Sequence, residues 1–391
     1  MPGPPLLITA PRVVPATAGP VILEPGYVGV AGGLITEVGQ GPPPRAPDLA
    51  LDSGILLPGL VDLQVNGCYG VDLAGVDPAG WAQVVRRLPE TGTTAFLPTF
   101  ITAPVEELAR ALRSAAGLVA GLPAGARVLG VHLEGPFLAP TRAGAHRRDW
   151  LVPATDGAVA ALLAAGTGVL REVTLAPEVA GGLAAITRLA AAGVLVSVGH
   201  SDATARQVAA AADAGARMVT HLFNAQRTLH HREPGVTGQA LTDPRLTSGL
   251  IAEPGHVGPA ACAIAFAAAP GRICLVTDAV AAAGMPPGRY LLGGEPVEVG
   301  PEEDAAPLRP DGTLAGSVLR MDRAVANTVA AGVGLAVAAA AATRIPADLI
   351  GRPDLGRLAP GAAADLAWLG DDLRARATWV AGERVYPPAT G

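Results

Sequence analysis

The sequence predicts an α/β protein, a closed (β/α)8 TIM-like barrel with a small β-sandwich domain built from both chain ends. Two observations lead to this fold class. Apolar runs of strand length alternate with helical patterns through the middle of the chain, and eight such units are enough to close a barrel. Four of these runs end on a polar side chain, and barrel active sites lie at the carboxyl ends of the strands. A doubly wound open sheet is the alternative, but the placement of those four side chains favours the barrel.

Both ends of the chain have the character of a small β domain. Near the amino terminus, short runs such as Leu34–Val38 are rich in β-branched residues and are separated by Pro and Gly. Ala364–Leu369 shows the same pattern near the other end. Segments 1–56 and 360–391 are therefore expected to pair into one sandwich domain, which leaves 57–359 for the barrel.

The predicted barrel strands are apolar runs bounded by Gly, Pro or polar residues. They are Leu57–Val65, Thr94–Pro98, Val128–Leu133, Val173–Ala176, Leu195–Val198, Met218–Thr220, Gly249–Ala252 and Ile273–Thr277. Helical patterns such as Val105–Ala120 and Ala203–Ala214 lie between most of them. Residues 289–312 break the alternation with Gly, Pro and acidic residues, and we expect a hairpin there, over the barrel mouth or at an edge of the β unit.

Composition excludes several classes of protein. The net charge is −6 and no basic cluster is interleaved with aromatic residues, so nucleic-acid binding is not expected. The alanine-rich helical stretches are too short to span a bilayer, and the first residues lack the features of a signal peptide. Cys68, Cys262 and Cys274 are widely spaced and odd in number, which favours a reducing cytoplasm over a disulfide framework.

Lysine and histidine usage also carries information. The chain contains no lysine, so its 28 basic residues are all arginine. A lysine Schiff base and a carbamylated lysine that bridges two metal ions are therefore both excluded. The seven histidines all lie between residues 132 and 256. Surface histidines would be scattered along the chain, so this clustering indicates a single site.

Four apolar runs end on residues that can bind a metal or move a proton. These residues are Glu134, His200, His221 and Asp278. Each alone is more often a cap or a loop residue, but together they are what one catalytic metal ion and its base need. A catalytic divalent ion takes about three protein ligands and keeps one position open for water. His132 is expected to face away from the neighbours of Glu134 on a pleated strand, so that it has a structural role or supports the metal ligands from behind.

Eight short motifs occur in a specific order over most of the chain. They are Pro58–Gly67, His132–Pro136, Leu175–Glu178, Gly199–Thr204, Thr220–Ala225, His231–Gly235, Leu275–Ala279 and Leu314–Ser317. Together these motifs resemble the amidohydrolase superfamily and, within it, the family of N-acetylglucosamine-6-phosphate deacetylases. The resemblance implies hydrolysis of the acetamide of a small sugar phosphate, giving glucosamine 6-phosphate and acetate in amino-sugar catabolism.

The first predicted strand suggests how many metal ions are bound. Many amidohydrolases carry two histidines there that hold a second metal, but this chain has Gln64 and Asn66 at those positions. Amides are poor ligands for a transition metal compared with imidazole. The chain therefore resembles the one-metal branch of the superfamily. The resemblance implies one divalent ion per subunit, held by Glu134, His200 and His221, with Zn²⁺ expected and Fe²⁺ as the alternative.

The resemblance also implies roles for residues around the metal. Asp278 would act as the proton carrier, and His146 would donate to the developing oxyanion. Arg232 would bind the phosphate of the substrate in a neighbouring subunit, which implies a homodimer. The other residues that match substrate contacts of the family are Ala145, Asn224, Ala225, His256, Leu314, Ala315 and Gly316.

Two departures from the family pattern flank the expected sugar pocket. Gln226 replaces a common methionine, and the segment Ala252–His256 replaces the usual Ala-Asp-Gly-x-His. Pro254 in that segment lacks an N–H, so one main-chain donor is lost. Both changes leave the metal residues unaltered, and they bear on the identity of the sugar rather than on the type of reaction.

The sequence leaves several other functions open. A deacetylase for another N-acetyl hexosamine phosphate, such as the galacto epimer, differs only in substrate. An N-acyl amino acid hydrolase would not require Arg232. A non-catalytic sugar-phosphate sensor on the same fold would not require a base at Asp278. A purely structural barrel would not explain the clustering of the histidines.

Overall fold

Six strands precede the barrel in the computed structural model, which describes residues 5–75, 77–302 and 305–387. They are β1 Leu6–Ala10, β2 Arg12–Val13, β3 Gly26–Ala31, β4 Leu34–Gln40, β5 Leu49–Ala50 and β6 Ile55–Pro58. Four of them form a sheet in the order β4-β3-β1-β5, in which β3 pairs antiparallel with both of its neighbours. β2 and β6 belong to a second sheet.

The next group of strands builds the barrel and one small hairpin. They are β7 Leu60–Val65, β8 Gly67–Cys68, β9 Val71–Asp72, β10 Thr93–Ile101, β11 Arg127–Val128, β12 Val131–Glu134, β13 Leu170–Leu175, β14 Leu195–Val198, β15 Met218–Val219, β16 Thr247–Leu250 and β17 Ile273–Leu275. β8 and β9 pair with each other as a short antiparallel hairpin. The others form one sheet in which every pairing is parallel.

The barrel runs in sequence order from β7 through β10 and β12 to β17. β11 pairs only with the start of β10, and Gly130 at φ +140° separates it from β12. The sheet closes where the first strand meets the segment after the last. The N–H of Asp278 donates to the Gln64 carbonyl at 2.9 Å, and the Thr277 hydroxyl donates to Asp62 at 2.6 Å. The prediction of a (β/α)8 barrel is confirmed, and each of the eight predicted strands overlaps a strand of this sheet. Two predicted bounds were wrong: Leu57 and Pro58 belong to β6 in the second sheet, and the run Val128–Leu133 is divided between β11 and β12.

Helices fill most of the connections between barrel strands. They are α1 Pro78–Arg87, α2 Val105–Leu118, α3 Asp156–Ala165, α4 Gly182–Ala191, α5 Ala205–Ala214, α6 Gly235–Thr242, α7 Pro259–Ala268, α8 Met321–Ala330, α9 Leu335–Ala342 and α10 Arg344–Leu349. Local sequence explains where they begin. Asp77 caps α1 with Pro78 as its first residue, and Thr204 with Gln207 forms a capping box on α5. Within the described part of the chain, no helix is both long and apolar enough to cross a membrane.

A hairpin covers the mouth of the barrel, which was one of the two placements expected for residues 289–312. Its strands are β18 Gly288–Leu292 and β19 Glu295–Val299, paired antiparallel. Glu295 accepts hydrogen bonds from Arg147 at 3.2 Å and from Arg309 at 3.1 Å. The hairpin is thereby bound to the loop that follows β12.

Strands from both ends of the chain meet in the second sheet. Its last members are β20 Leu366–Leu369, β21 Ala375–Val380 and β22 Glu383–Tyr386, and the order is β2-β6-β20-β21-β22. β6 pairs antiparallel with β20, so that Leu56 lies opposite Trp368. An apolar cluster that includes Ile8, Val28 and Trp379 draws its residues from both sheets. The expected sandwich is therefore present, while the exact boundaries at 56/57 and 359/360 stay a prediction.

One ion pair connects the barrel to this sheet. The guanidinium of Arg127 on β11 donates two hydrogen bonds to Asp365, at 2.9 and 3.0 Å, and the N–H of Ala381 donates to the same carboxylate at 2.7 Å. The side chain of Asp365 is 2% exposed, so these three donors, rather than water, compensate its negative charge.

We expect Asp365→Asn to lower the free energy of unfolding by about 2–3 kcal/mol, because breaking a largely buried pair leaves a charge without its partner. Asp354→Asn is the matched control, since Asp354 makes the same two-bond contact with Arg352 at a site 49% exposed. That change should cost less than about 1 kcal/mol. Urea unfolding measures both differences, and equal losses would contradict the role given to Asp365.

Candidate active site

Three metal-binding side chains converge at the carboxyl end of the barrel. Glu134 is the last residue of β12, and His200 and His221 follow β14 and β15 within two residues. The Nε2 atoms of the two imidazoles lie 3.2 and 3.0 Å from Oε1 of Glu134, and 3.1 Å from each other. All three residues are buried, and their ligand atoms lie within 4.8 Å of one another. The structure thus brings together the three residues that the sequence suggested as ligands.

Three functional residues that follow barrel strands have a left-handed backbone conformation. His200, His221 and Asp278 have φ values of +46°, +28° and +53°. This left-handed region is sparsely populated by residues other than glycine and costs on the order of 1–3 kcal/mol each. Three such residues around one point indicate that the surrounding structure holds them there for function, since strain of this kind collects at active sites.

The carboxylate of Glu134 is the charged centre of this cluster. Burial alone would raise its pKa, but hydrogen bonds with His200 and His221 hold the pKa well below its ordinary value. Gln64 on β7 adds a third contact, because its Nε2 donates to Oε1 of Glu134 at 3.2 Å. The group is therefore held ionised, which is the form that binds a cation.

Asp278 stands beside this cluster and shares a donor with it. Its Oδ1 accepts a hydrogen bond from Asn66 at 2.7 Å and another from Gln64 at 3.1 Å. Burial raises the pKa of Asp278 to about 7, and the negative charge of Glu134 adds to that rise. The positions that hold two histidines in many amidohydrolases thus carry amides that donate to Asp278.

The donor set fits a divalent transition metal ion. Two imidazoles and one carboxylate are the ligand types of a catalytic zinc site, which takes three protein ligands. The Nδ1 of His200 lies 2.9 Å from the carbonyl of Arg142 and can donate to it, so Nε2 is the nitrogen that could bind a metal ion. Among the described residues, Nδ1 of His221 has no hydrogen-bond partner.

His146 forms the neighbouring wall of the site. Its ring stacks edge-on against His200 at 4.3 Å, and its Nε2 lies 3.8 Å from Oε2 of Glu134. Burial, with the positive charge of nearby His200, lowers the pKa of His146 to about 3. The imidazole is therefore neutral at physiological pH. Its Nδ1 lies 2.8 Å from the Thr102 hydroxyl.

These residues line a cavity of about 460 Å³. Most of the substrate contacts suggested by the sequence lie on its walls. They are Ala145, Asn224, Ala225, His256, Leu314 and Gly316. Ala315 does not line the cavity, because its side chain packs with Val280 and Leu292 in a small apolar cluster. Arg232 is exposed on a loop and does not line the cavity of its own chain.

At the two departures from the family pattern, the substituted residues Gln226 and Pro254 do not line the cavity. Gln226 is buried, and its amide bonds the Thr220 carbonyl at 2.8 Å and the Thr237 hydroxyl at 3.2 Å, so it braces the loop that carries Ala225. Pro254 is exposed and does not line the cavity. In the same segment, Glu253 lies 2.7 Å from Nδ1 of His256.

Sequence reasoning missed several residues near the site. Thr102, Arg142 and Leu292 were not singled out, although Arg142 and Leu292 line the cavity. Arg142 donates two hydrogen bonds to Asp202, at 2.7 and 3.0 Å. Asp202 belongs to the motif that contains His200, so a charged partner for it could have been sought. Nothing in the pattern around Thr102 marks it.

The expectation that His132 faces away from Glu134 was wrong. Residues two apart on a strand point to the same side, so both side chains face the barrel interior. There Nε2 of His132 lies 2.8 Å from the Thr174 hydroxyl, and Nδ1 lies 3.3 Å from the Thr99 hydroxyl. Hydroxyl–hydroxyl contacts of 2.6 Å continue from Thr174 through Thr220. His132 thus belongs to a buried polar network of hydroxyl groups from neighbouring barrel strands.

Comparison with known proteins agrees with this geometry. The profile of the amidohydrolase family matches residues 55–385. The N-acetylglucosamine-6-phosphate deacetylase of Bos taurus is 41% identical over 88% of this chain and 86% of its own length. The N-acetylgalactosamine-6-phosphate deacetylase of Escherichia coli O157:H7 is 39% identical over 85% of this chain and 88% of its own length.

A solved structure shows the same similarity in three dimensions. A variant of the N-acetyl-D-glucosamine-6-phosphate deacetylase of Mycobacterium smegmatis, in complex with N-acetyl-D-glucosamine-6-phosphate, superposes with a TM-score of 0.92 at 37% identity. The match covers 98% of this chain and 100% of that chain. From the barrel, its metal-binding cluster and these similarities together, we conclude that the chain belongs to the amidohydrolase family.

Proposed function

We propose that the protein hydrolyses the acetamide of N-acetyl-D-glucosamine 6-phosphate, giving glucosamine 6-phosphate and acetate in amino-sugar catabolism. The convergence of Glu134, His200 and His221 beside Asp278 in one cavity supports this reaction most directly. Similarity to N-acetylglucosamine-6-phosphate deacetylases over most of the chain supports the choice of substrate.

The chemistry follows from the arrangement of the side chains. A divalent ion bound by the three ligands would supply hydroxide at neutral pH and polarise the amide carbonyl. Asp278 would take a proton from the attacking water and return it to the leaving nitrogen. Both amide contacts of Asp278 fall on Oδ1, so Oδ2 is the oxygen available for that proton. His146 would donate from Nε2 to the carbonyl oxygen as negative charge develops on it.

We further propose that Arg232 binds the substrate phosphate of a partner subunit in a homodimer. Arg232 is exposed, outside the cavity of its own chain, and its guanidinium lies 2.8 Å from Nε2 of His231. A planar guanidinium suits a phosphate. Arg142 on the cavity wall is already engaged with Asp202, which leaves the charge for the phosphate to be supplied from elsewhere.

The galacto epimer is the second candidate substrate. The N-acetylgalactosamine-6-phosphate deacetylase of Escherichia coli O157:H7 is nearly as similar to this chain as the Bos taurus protein is. Acetate release from a panel of N-acetyl amino sugars, each with and without the 6-phosphate, separates the two substrates. The absence of release from every sugar would favour a sensor instead. A cytoplasmic location stays a prediction, and the three unpaired, buried cysteines support it.

One bound metal ion per chain is the expected stoichiometry, with Zn²⁺ the expected ion, because Gln64 and Asn66 are engaged with carboxylates. We expect His221→Asn to lose that ion. His256→Asn, a change on the same cavity wall outside the ligand set, should retain it. Elemental analysis of the purified proteins measures both. Two equivalents, both required for activity, would contradict the one-metal interpretation.

Asp278→Asn should lower kcat by about 10²–10⁴-fold, because the amide keeps the shape of the side chain but cannot accept a proton. Metal content and KM should stay close to those of the wild type. Wild-type kcat should fall as the pH drops through the pKa of this carboxyl, which lies at about 7 before a bound cation lowers it. Near wild-type turnover would remove Asp278 from the mechanism, and loss of the metal would make it a ligand.

Arg232→Ala should raise KM strongly for the phosphorylated sugar and change it little for the unphosphorylated one. Arg206→Ala, at another exposed arginine, is the control and should alter neither. Mixing Arg232→Ala chains with Asp278→Asn chains should restore about a quarter of wild-type activity, because half of the dimers are hybrids with one complete site of two. If the mixed chains regained no activity, Arg232 would act in the site of its own chain instead.

A further inference from the structure

Thr102 contacts the same ring nitrogen of His146 twice. It follows the last residue of β10 and is 2% exposed. Its main-chain N–H donates to Nδ1 of His146 at 3.3 Å, and its hydroxyl oxygen lies 2.8 Å from the same atom. No sequence pattern marks this contact, because the two residues lie on different connections of the barrel.

These contacts determine which nitrogen of the ring carries the proton. A main-chain N–H can only donate, so Nδ1 must present its lone pair to it. The carbonyl oxygen of Glu134, 3.3 Å from the Thr102 hydroxyl oxygen, can accept the same proton, but Nδ1 is nearer at 2.8 Å. The hydroxyl is therefore assigned as a donor to Nδ1, and the single proton of the neutral ring sits on Nε2. That nitrogen lies on the side of Glu134, at 3.8 Å from Oε2, in a ring that lines the cavity. The opposite tautomer would present a lone pair to a developing oxyanion and repel it.

The backbone after Glu134 is shaped around this hydroxyl. Gly135 has φ +97°, and a Cβ there would lie 2.2 Å from Oγ1 of Thr102. The same Oγ1 lies 3.3 Å from the carbonyl oxygen of Glu134. The Thr102 side chain thus contacts both the strand end that carries Glu134 and the imidazole of His146. A larger residue at 135 would displace the hydroxyl from both contacts.

We propose that Thr102 is a positioning residue that holds His146 in the tautomer with its proton on Nε2, ready to donate to the oxyanion. The proposal rests on the proposed function of His146 in amide hydrolysis. Thr102 itself does not line the cavity. Its contribution acts on the transition state, where the donated hydrogen bond is strongest, and leaves binding of the ground state largely unchanged.

The kinetic test compares Thr102→Val, which keeps the shape and removes the hydroxyl, with Thr102→Ser, which keeps the hydroxyl. We expect Thr102→Val to lower kcat by about 10–100-fold. Complete removal of an oxyanion donor typically costs more, about 10²–10³-fold, because here the donor is kept and only its orientation is lost. KM and metal content should not change, and Thr102→Ser should recover most of the loss. Thr378→Val, which removes a buried hydroxyl that donates to the Pro89 carbonyl, is the matched control and should leave kcat unchanged.

A double variant separates positioning from general support of the fold. If Thr102 acts only through the ring, Thr102→Val should cause no further loss of kcat in a His146→Ala background. The proposal would be overturned if the fold-losses of the two single variants multiplied in the double variant. It would also be overturned if Thr102→Val alone kept the kcat of the wild type.

Ring nitrogen-15 shifts of the zinc-loaded enzyme give a readout independent of activity. The His146 signal, identified by its absence from the His146→Ala variant, should show a bare Nδ1 and a protonated Nε2 in the wild type. The population should move toward a mixture in Thr102→Val. A protonated Nδ1 in the wild type would overturn the proposal. If the wild type released no acetate, the proposed function would fail, while these shifts would still decide the role of Thr102.

Discussion

The buried negative charge on Glu134 is the constraint around which the rest of the site is arranged. An isolated carboxylate inside a barrel is costly unless donors or a cation compensate it. Gln64, His200 and His221 all converge on the same oxygen, Oε1. They come from three different strand positions, so the charge can be compensated only when the barrel is closed and in register. Formation of the site and closure of the fold therefore depend on each other.

Closure itself uses polar groups rather than a continuous apolar seam. Asp62 accepts from the hydroxyl and the N–H of Thr277, and the next residue is the proposed base. Asp62 is buried, and this burial raises the pKa of its carboxyl to about 7. Asp62 on β7 thus binds the segment that follows the last barrel strand. Gln64 on the same strand, and Asn66 just beyond it, supply the two amides that donate to Asp278.

The fold could be predicted because parallel barrel strands are buried on both faces and appear as apolar runs. The convergence of Glu134, His200, His221 and Asp278 followed from topology, since every barrel strand ends at the same rim. Other features needed tertiary contacts. Thr102 has no distinctive sequence neighbours, and the inward packing of Ala315 depends on a cluster formed by distant segments. The orientation of His132 was predictable from the two-residue period of a strand, which places it on the same side as Glu134.

The left-handed turns at His200, His221 and Asp278 have a consequence for how the loops above the barrel can change. Each turn bends the chain within three residues of the strand end, so the side chains of these three residues are placed at the rim of the barrel rather than farther along the loops. Insertions or substitutions farther along those loops can then reshape the pocket that selects a sugar without displacing the reacting centre. A lineage built on this barrel could exchange substrates by small steps while its hydrolytic chemistry persisted at every intermediate.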